Sequence, residues 1–382
     1  KINDEEKTVK SVGGKMKYTG AITFSSSNLL NKFGAVYNES QKSFIKKLLK
    51  GQDFNEIKTR LDKLKNLKVL VIGETIIDQY VFCEALGKSG KEPVLVMRDL
   101  MMEQYAGGAA AIVRHLSDFC GSITLLSMLG EKKEYENFVL DSLPKNIKAN
   151  FIYKQGAPTI TKKRYVDHIS KSKSFGVYSI NDTEMNVENQ NQLHLYLNDL
   201  LPQHDLVIVS DYGHGFISNK TAKLISKNAI FTSLNAQVNA ANIGFHTMNN
   251  YQGIDCAIIN ETELRHELRD RERNINELMK QLAKSLKTKN LVVTQGTSGA
   301  TLFDSEKNKF HECPAYAIKV VDKIGAGDAM LALLSCCLRI GFEADLSLFI
   351  GSLAAAQSVE TIGNSIPVNK VQLLKSFSHA IK

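Results

Sequence analysis

The segment DKIGAGD, residues 322–328, combines residue types that can bind an anion and remove a proton. Gly325 and Gly327 carry no side chain, so the backbone can approach a ligand closely. The apolar run that follows, Ala329 to Leu338, has helical spacing and is too short to cross a bilayer. The first turn of such a helix presents unpaired N–H groups and the positive end of the helix dipole. We therefore predict an anion-binding site at the start of a buried helix.

Asp328 lies at the edge of this predicted anion site. A carboxylate repels a phosphate, so we do not expect it to bind one. It can instead accept a proton from a hydroxyl group that attacks the phosphate. An anion site with a base beside it suits phosphoryl transfer to an alcohol. The alternative is that Asp328 only caps a core helix, and residues 322–328 alone leave both interpretations open.

Composition and cysteine usage are those of an ordinary globular protein. The chain has 382 residues, of which 43% are hydrophobic and 23% charged. It contains no apolar run of the roughly 18 residues that a membrane span needs, and no secretory signal. The six cysteines form no CxxC pair and no zinc spacing, which favours reduced thiols. These features predict a cytoplasmic protein without a membrane partner.

The net charge of +8 is concentrated at one end of the chain. Residues 1–65 carry 14 basic and 7 acidic side chains, whereas the rest of the chain carries 34 and 33. The basic segment lacks the interleaved aromatic residues that stack on bases. We therefore expect a solvated basic surface and no nucleic-acid partner.

The pattern of the sequence changes near residue 67, which predicts two regions. Residues 1–66 form a basic N-terminal extension with a serine-rich patch at residues 24–33 and two predicted helices, at residues 43–50 and 54–66. This extension is too small for a sizeable core of its own. Residues 67–382 are predicted to form the main domain.

Buried strands and helices alternate through the main domain. Apolar runs that are typical of buried parallel strands occur at residues 67–73, 122–130, 205–211, 256–260 and 290–296. Helical stretches separate them, including residues 107–119 and 264–287. This alternation predicts an α/β fold with a doubly wound, mostly parallel sheet, whose ligands bind at the carboxyl ends of the strands. Residues 79–105 and 159–180 do not follow this alternation of strands and helices. They are predicted to form a small antiparallel β lid over that edge.

Several motifs, in order along the chain, resemble those of the ribokinase/phosphofructokinase-B (PfkB) family of carbohydrate kinases. DKIGAGD is similar to the family's D-T-x-G-A-G-D signature, with Lys323 in place of the usual Thr. VLVIGETIID, YAGGAAAIVRHL, INETEL and VVTQGTSGA resemble its first strand, its Gly-Gly helix entry, its N-x-x-E motif and its T-x-G-x-x-G turn. The resemblance covers roughly residue 68 to the C-terminus and implies a ribokinase-like fold and a sugar kinase.

GKSGKEPV, TITKKR and SDYGHG are further similar to the heptose 7-phosphate kinases of this family. In that group a kinase domain is often joined to a nucleotidyltransferase domain, and residues 24–33 resemble the tail of such a domain. The chain lacks the HxGH motif of a nucleotidyltransferase. We therefore expect that a second activity, if present, resides in a separate domain or partner.

The resemblance also implies roles for individual residues. On the catalytic side, Asp328 is the base, and Gly325, Ala326 and Gly327 form the anion hole. On the sugar side, the residues implied to bind substrate are Asp78, Gly107, Gly108, Lys88, Lys162 and Arg164; the three cations suit an anionic sugar phosphate. Ala111 stands where the family commonly has an Asn that contacts the sugar, so the substrate is expected to differ from those of typical members.

On the nucleotide side, the resemblance implies that Asn260 and Glu263 organise Mg²⁺, Glu263 through water, because Mg²⁺ prefers oxygen ligands and keeps waters. Helix capping after a strand is the alternative role for this pair. The other residues implied to bind nucleotide are Thr294, Gly296, Gly299, Asp322 and, near the adenine, Asn364. The implied cofactors are ATP and Mg²⁺, with a monovalent cation as an open question.

Two non-enzymatic hypotheses remain open at this point. One is a catalytically silent sugar- or nucleotide-binding regulator on the same fold, since a fold does not guarantee activity. The other is a structural partner of a nucleotidyltransferase. The complete GAGD segment favours an active kinase. Because lid edges in this family often pair between subunits, we also expect a homodimer. The segment GKS at residues 87–89 lacks the earlier glycine of a P-loop, so that class is excluded.

Overall fold

The computed structural model describes residues 37–48, 50, 54–238, 242, 244 and 246–381, together with residue 11. The chain divides into two compact units, residues 1–38 and 39–382. The serine-rich patch at residues 24–33 lies outside the described residues. The fold below is that of the larger unit.

A mostly parallel sheet with helices on its faces forms the centre of this unit. Its strand order is β12-β11-β10-β9-β8-β7-β1-β3-β4, and all neighbours are parallel except at β10-β11-β12. The strands are β1 (Lys68–Lys88), β2 (Leu95–Gly108), β3 (Ser122–Gly130), β4 (Ile147–Lys154), β5 (Thr161–Asp167), β6 (Lys173–Ser179), β7 (Leu206–Asp211), β8 (Thr232–Ala236), β9 (Cys256–Asn260), β10 (Asn290–Thr294), β11 (Ala300–Asp304) and β12 (Lys309–Cys313). The five predicted buried strands are all present, and the predicted fold class is confirmed.

Two helices precede the first strand, and the others connect the strands or follow the last of them. They are α1 (Glu39–Leu48), α2 (Phe54–Asp62), α3 (Ala109–Leu116), α4 (Glu136–Ser142), α5 (Val187–Leu200), α6 (Asn219–Asn228), α7 (Glu261–Leu268), α8 (Ile275–Leu286), α9 (Ala326–Arg339), α10 (Ala344–Ser358) and α11 (Lys370–Ile381). The predicted helical stretch at residues 264–287 is interrupted, because Arg269 adopts a left-handed conformation that ends α7. None of the helices among these residues is long and apolar enough to span a membrane.

The lid is built mainly by the continuation of β1. After pairing with β3 and β7 inside the main sheet, β1 runs on to pair with β2 and β5, and β6 pairs with β5. The lid is therefore a separate small sheet, as predicted. It is not wholly antiparallel, because the β1–β5 pairing, from Ile77–Thr161 to Cys83–Asp167, is parallel.

The two helices predicted in the N-terminal extension are present as α1 and α2, and both pack against C-terminal helices. The rings of Phe44 and Phe349 are 5.9 Å apart, and those of Phe54 and Phe377 are 5.5 Å apart. Arg60 donates to the backbone oxygen of Gly341 over 3.0 Å. Residues 39–66 therefore belong to the same compact unit as the sheet.

Candidate active site

The GAGD segment forms the start of helix α9, as the sequence predicts. Gly325 caps the helix with φ +91°, a left-handed conformation that favours glycine. A Cβ atom at this position would lie 1.8 Å from Oδ1 of Asn364, so no other residue fits. Ala326, Gly327 and Asp328 are the first three helical residues, whose N–H groups have no partner within the helix. A Cβ atom on Gly327 would meet no atom of the described residues within 4 Å, which leaves room for a ligand.

Asp328 is half-buried, and both of its carboxylate oxygens accept hydrogen bonds. The hydroxyl of Tyr212 donates to Oδ1 over 2.8 Å, and Nδ2 of Asn364 donates to Oδ2 over 3.4 Å. Burial, together with the charge of Asp78, raises the pKa of the Asp328 carboxyl to about 6, although these two donors act in the opposite direction. A carboxylate with a pKa near the working pH is well suited to accept a proton.

Asp78, the predicted sugar-binding residue, lies where β1 passes from the main sheet into the lid. Its side chain is buried and accepts a hydrogen bond of 2.5 Å from Arg164. A Cβ on Gly107 would approach Oδ2 of Asp78 to 2.2 Å, so the glycine makes room for this carboxylate. Gly108 has φ +62° and caps α3. Burial raises the pKa of Asp78, and the charge of Arg164 opposes this shift.

Lys162 is a nearly buried cation on β5 of the lid, 9% exposed. Its Nζ lies 5.7 Å from the ring centre of Tyr212 and 5.9 Å from that of Tyr178. Within the described part of the chain Lys162 forms no ion pair, unlike Arg164 and Lys173 of the same sheet. Burial lowers the pKa of its ammonium group, and the charge of Asp78 opposes this shift. A nearly buried cation that makes no direct ion pair among the described residues is available to meet an anionic substrate.

Asp322 connects the GAGD segment to the lid. Its carboxylate accepts hydrogen bonds from the hydroxyl of Tyr80 (2.7 Å), from Nζ of Lys173 (2.6 Å) and from the backbone N–H of Ile324 (3.1 Å). These donors hold the pKa of Asp322 below its ordinary value, although burial acts in the opposite direction. Asp322 is therefore an ionised link between the lid strands β1 and β6 and the loop before the anion hole.

The residues predicted on the nucleotide side lie at the carboxyl edge of the main sheet. Asn260 and Thr294 end the neighbouring parallel strands β9 and β10 and are in register. Gly296 and Gly299, with φ +57° and +99°, form the turn into β11. A Cβ atom on Gly299 would lie 2.1 Å from the backbone oxygen of Cys313. The two backbone segments approach too closely there for a side chain, which favours glycine.

Asn260 and Glu263 form a capping box at the start of α7. The side chain of Asn260 accepts from the N–H of Glu263 over 2.9 Å, and Glu263 accepts from the N–H of Asn260 over 3.1 Å. The capping role given as the alternative is thus present. Burial raises the pKa of Glu263 to about 7. The described residues contain no group of three or more side chains that could hold a metal by themselves. The carboxylate and amide oxygens of the pair are of the type that Mg²⁺ prefers, and a role for them with Mg²⁺ stays a prediction.

The structure does not bring Lys88 to this site. Lys88 is exposed at the far end of β1, ten residues beyond Asp78. A strand rises about 3.3 Å per residue, so the two side chains are separated by roughly 30 Å. The implied contact between Lys88 and the substrate of its own chain is therefore not supported. The pattern of apolar residues in the sequence did not predict that β1 extends as far as Lys88.

Asn364, assigned by resemblance to the adenine, lies against Asp328 and also contacts His115, whose Nε2 is 3.1 Å from Oδ1 of Asn364. Tyr212 and His115 are site residues that were not predicted from the sequence. Tyr212 immediately follows β7 within SDYGHG, and its place after a buried strand was the one available signal. His115 lies on a buried helix face, where sequence alone predicts only core packing.

These features together define a class of protein. A doubly wound sheet with a β lid brings a glycine-rich helix start, a base-like carboxylate and two lid cations, Lys162 and Arg164, to one edge. This is the arrangement of a kinase that phosphorylates an alcohol group. The chain matches the pfkB family of carbohydrate kinases over residues 66–371 and belongs to that family. It is therefore a sugar kinase, a phosphotransferase with an alcohol acceptor.

Curated relatives include the bifunctional protein HldE of Campylobacter jejuni, strain 81116 / NCTC 11828, which is 27% identical over 301 residues, 78% of this chain and 62% of that protein. HldE of Koribacter versatilis is 27% identical over 317 residues, 81% of this chain and 63% of that protein. The chain thus spans less than two thirds of the length of these relatives. Among solved structures, ribokinase from Thermotoga maritima covers 82% of this chain and 99% of its own, with a TM-score of 0.63 and 18% identity. Phosphofructokinase-2 from Escherichia coli, in complex with substrates and products, covers 83% of this chain and 100% of its own, with a TM-score of 0.63 and 16% identity. These structures support the fold.

Proposed function

We propose that the protein transfers the γ-phosphate of ATP to a hydroxyl of a phosphorylated sugar similar to heptose 7-phosphate. The observation that carries this proposal is the position of Asp328 in the first turn of α9, beside the three unpaired N–H groups that follow Gly325. An anion site and a base with a pKa of about 6 are adjacent there. This pairing is the minimum that phosphoryl transfer to an alcohol needs.

In the proposed mechanism, Asp78 accepts hydrogen bonds from sugar hydroxyls and orients the acceptor hydroxyl toward Asp328. Asp328 takes the proton of that hydroxyl as its oxygen attacks the γ-phosphorus. The N–H groups of Ala326 and Gly327 stabilise the negative charge that develops on the transferring group. Mg²⁺, when bound with the nucleotide, would neutralise phosphate charge, and Glu263 would hold its water shell. The lid excludes water that would otherwise compete with the sugar.

The choice of a phosphorylated sugar rests on charge. Lys162 and Arg164 are two residues apart on β5, and Lys162 is in register with Asp78 on β1. Among the described residues Arg164 pairs with Asp78, whereas Lys162 makes no direct ion pair. A neutral sugar would leave this buried cation unpaired, whereas a sugar phosphate would pair with it. The resemblance to heptose 7-phosphate kinases points to the same substrate class, and Ala111 in place of the usual Asn is compatible with a larger or different sugar.

The test is ADP release from ATP and Mg²⁺ against a panel of sugars and sugar phosphates that includes heptose 7-phosphates. Asp328→Asn keeps the shape of the side chain but removes the base, and should lower sugar-dependent turnover by about 10²- to 10⁴-fold. Asp199→Asn is the matched control, because Asp199 is an exposed carboxylate near the end of α5 that precedes β7. Binding of nucleotide or sugar without turnover would instead support a silent regulator.

We also propose a homodimer formed through the lid. Strands β2 and β6 of the lid expose several large apolar side chains: Leu95, Met101, Met102, Phe175 and Val177. Such a concentration of exposed apolar residues is typical of an interaction surface. A monomeric mass in light scattering, at concentrations well above those of the assay, would contradict this proposal. A nucleotidyltransferase domain or partner is a further proposal, based on relatives named bifunctional and matched over less than two thirds of their length.

A further inference from the structure

Both oxygens of the Asp328 carboxylate have a hydrogen-bond donor, and the two donors come from different parts of the fold. Tyr212 follows β7, and Asn364 lies in the loop between α10 and α11. Rotation of the carboxylate about its last torsion would break both bonds. Because that torsion is otherwise broad for aspartate, two opposed donors restrict it to one orientation.

The amide of Asn364 is itself oriented by His115. The backbone N–H of Val368 donates to Nδ1 of His115 over 3.0 Å, so the proton of the neutral imidazole lies on Nε2. Nε2 then donates to Oδ1 of Asn364 over 3.1 Å, which turns the NH₂ group of Asn364 toward Asp328. His115 is 1% exposed, and burial lowers its pKa to about 4, so the ring stays neutral at physiological pH. The reversed amide would place its oxygen against a carboxylate oxygen, which is repulsive.

The backbone of Tyr212 is also held by hydrogen bonds on both sides. Its backbone N–H donates to the buried carboxylate of Glu74 over 3.0 Å, and its backbone oxygen accepts from Nδ2 of Asn242 over 2.9 Å. The ring is buried, and Gly213 beside it has φ +69°. The hydroxyl of Tyr212 is therefore presented to Asp328 from a fixed backbone.

We propose that Tyr212 and the His115–Asn364 pair are positioning residues that hold Asp328 so that Oδ2 faces the acceptor hydroxyl. This inference rests on the proposed role of Asp328 as the base. Oδ1 is engaged by the shorter bond, from Tyr212, whereas Oδ2 has only the longer contact with Asn364 and keeps more of its basicity. As the acceptor oxygen forms its bond to phosphorus and the bond from phosphorus to the ADP oxygen breaks, the hydroxyl proton moves to Oδ2. ADP leaves with the electron pair of the broken bond.

Among the described residues, three titratable groups from three different elements act on the pKa of Asp328. They are Tyr212 after β7, Asp78 on β1 and Lys162 on β5. Asp78 raises the pKa of Asp328, and Lys162 and the Tyr212 hydroxyl lower it. Removal of the hydroxyl alone should therefore raise this pKa, while Asp78 and Lys162 stay in place.

The first test is Tyr212→Phe, compared with wild type in the pH profile of kcat/KM. We expect the acid limb to move up by about one pH unit, since a lost donor to a charged acceptor makes the carboxyl easier to protonate. kcat should fall about tenfold with KM for the sugar within about twofold, as for a group that acts on the base rather than on binding. The matched control is Tyr153→Phe, because the Tyr153 hydroxyl on β4 donates over 2.8 Å to Glu136 on α4, a carboxylate with no role in the proposed step. Its acid limb should not move.

The second test addresses the His115–Asn364 pair and does not depend on Tyr212. His115→Leu removes the donor that orients Asn364 and should lower kcat and raise the acid limb. His115→Gln retains an N–H donor and should restore most of both. His204→Leu is the matched control, because His204 is also a buried histidine with two partners, Leu200 and Thr124, remote from Asp328 in the structure. It should lower thermal stability without moving the acid limb.

The outcomes distinguish failure of the proposed function from failure of the positioning role. If wild type shows no sugar-dependent turnover, or Asp328→Asn retains it, the proposed function fails. If wild type is active and Asp328→Asn is inactive, but Tyr212→Phe and His115→Leu both keep the wild-type acid limb, only the positioning role is overturned. Circular dichroism and nucleotide binding establish that each variant is folded, and a misfolded Tyr212→Phe would leave the His115 series to decide.

Discussion

The raised pKa of Asp328 predicts that the proposed catalytic base destabilises the folded protein at neutral pH. Burial, together with the charge of Asp78, raises the pKa of the Asp328 carboxyl to about 6, from about 3.9 in an unfolded chain. The folded state therefore binds this proton more tightly than the unfolded state does. At low pH the carboxyl is protonated in both states and carries no penalty. The free-energy cost of ionising it in the folded protein grows as pH rises from the unfolded pKa to the folded pKa of about 6.

The size of the effect follows from linkage. A shift of about two pKa units corresponds to about 3 kcal/mol when the group is fully ionised, at about 1.4 kcal/mol per unit. The cost is about 0.5 kcal/mol at pH 4, about half of its full value at pH 5, and nearly complete at pH 7. Asp328→Asn carries no charge at any of these pH values. The variant should therefore gain up to about 3 kcal/mol in unfolding free energy at pH 7 and almost nothing at pH 4.

The assay is urea unfolding of wild type and Asp328→Asn at several pH values between 4 and 8, with ADP release measured on the same preparations. The difference in unfolding free energy between the two proteins removes the contributions of titrating groups that do not interact with Asp328. Asp199→Asn again serves as the control, because Asp199 is an exposed carboxylate near the end of α5. The expected result is a variant that is more stable at pH 7 and inactive.

A pH-independent stability difference for Asp328→Asn would contradict this prediction, because it would mean that folding does not shift the pKa of Asp328. A variant that becomes less stable as pH rises would show the opposite sign, that is, a carboxylate stabilised by Tyr212 and Asn364 more than it is penalised by burial.

Three further outcomes are expected. Gly325→Ala should lower kcat by at least about 100-fold and destabilise the fold, since its Cβ would collide with Asn364; kinetics and a thermal scan measure both. Lys162→Met should raise KM about tenfold for a phosphorylated sugar but not for its unphosphorylated counterpart, without loss of stability, because a buried unpaired ammonium is removed. Glu263→Gln keeps an acceptor for the Asn260 N–H and should raise the Mg²⁺ concentration for half-maximal rate about tenfold, with unfolding free energy changed by less than about 1 kcal/mol; an unchanged Mg²⁺ requirement would leave Glu263 with the capping role alone.

Local features of the structure could be predicted from the sequence. The five buried strands and the helix after DKIGAGD are encoded by short apolar runs and by glycines next to a helix start, and these signals act over ten residues or fewer. The two glycines and Asp328 of this segment lie within four consecutive residues, so the proposed anion hole and base come together without help from the rest of the fold. The order of the motifs along the chain further indicated the PfkB family.

The sequence determined by itself which residue types are available and where the strands and the α9 helix begin. Only the tertiary structure decided which distant residues meet. The length of β1 separates Lys88 from the site, because an extended strand moves each residue about 3.3 Å further from Asp78. The sheet order brings Tyr212 to Asp328, and the loop before α11 brings Asn364 there, with His115 behind it. No local periodicity encodes such a meeting, because it arises from the packing of four chain segments that are far apart in sequence.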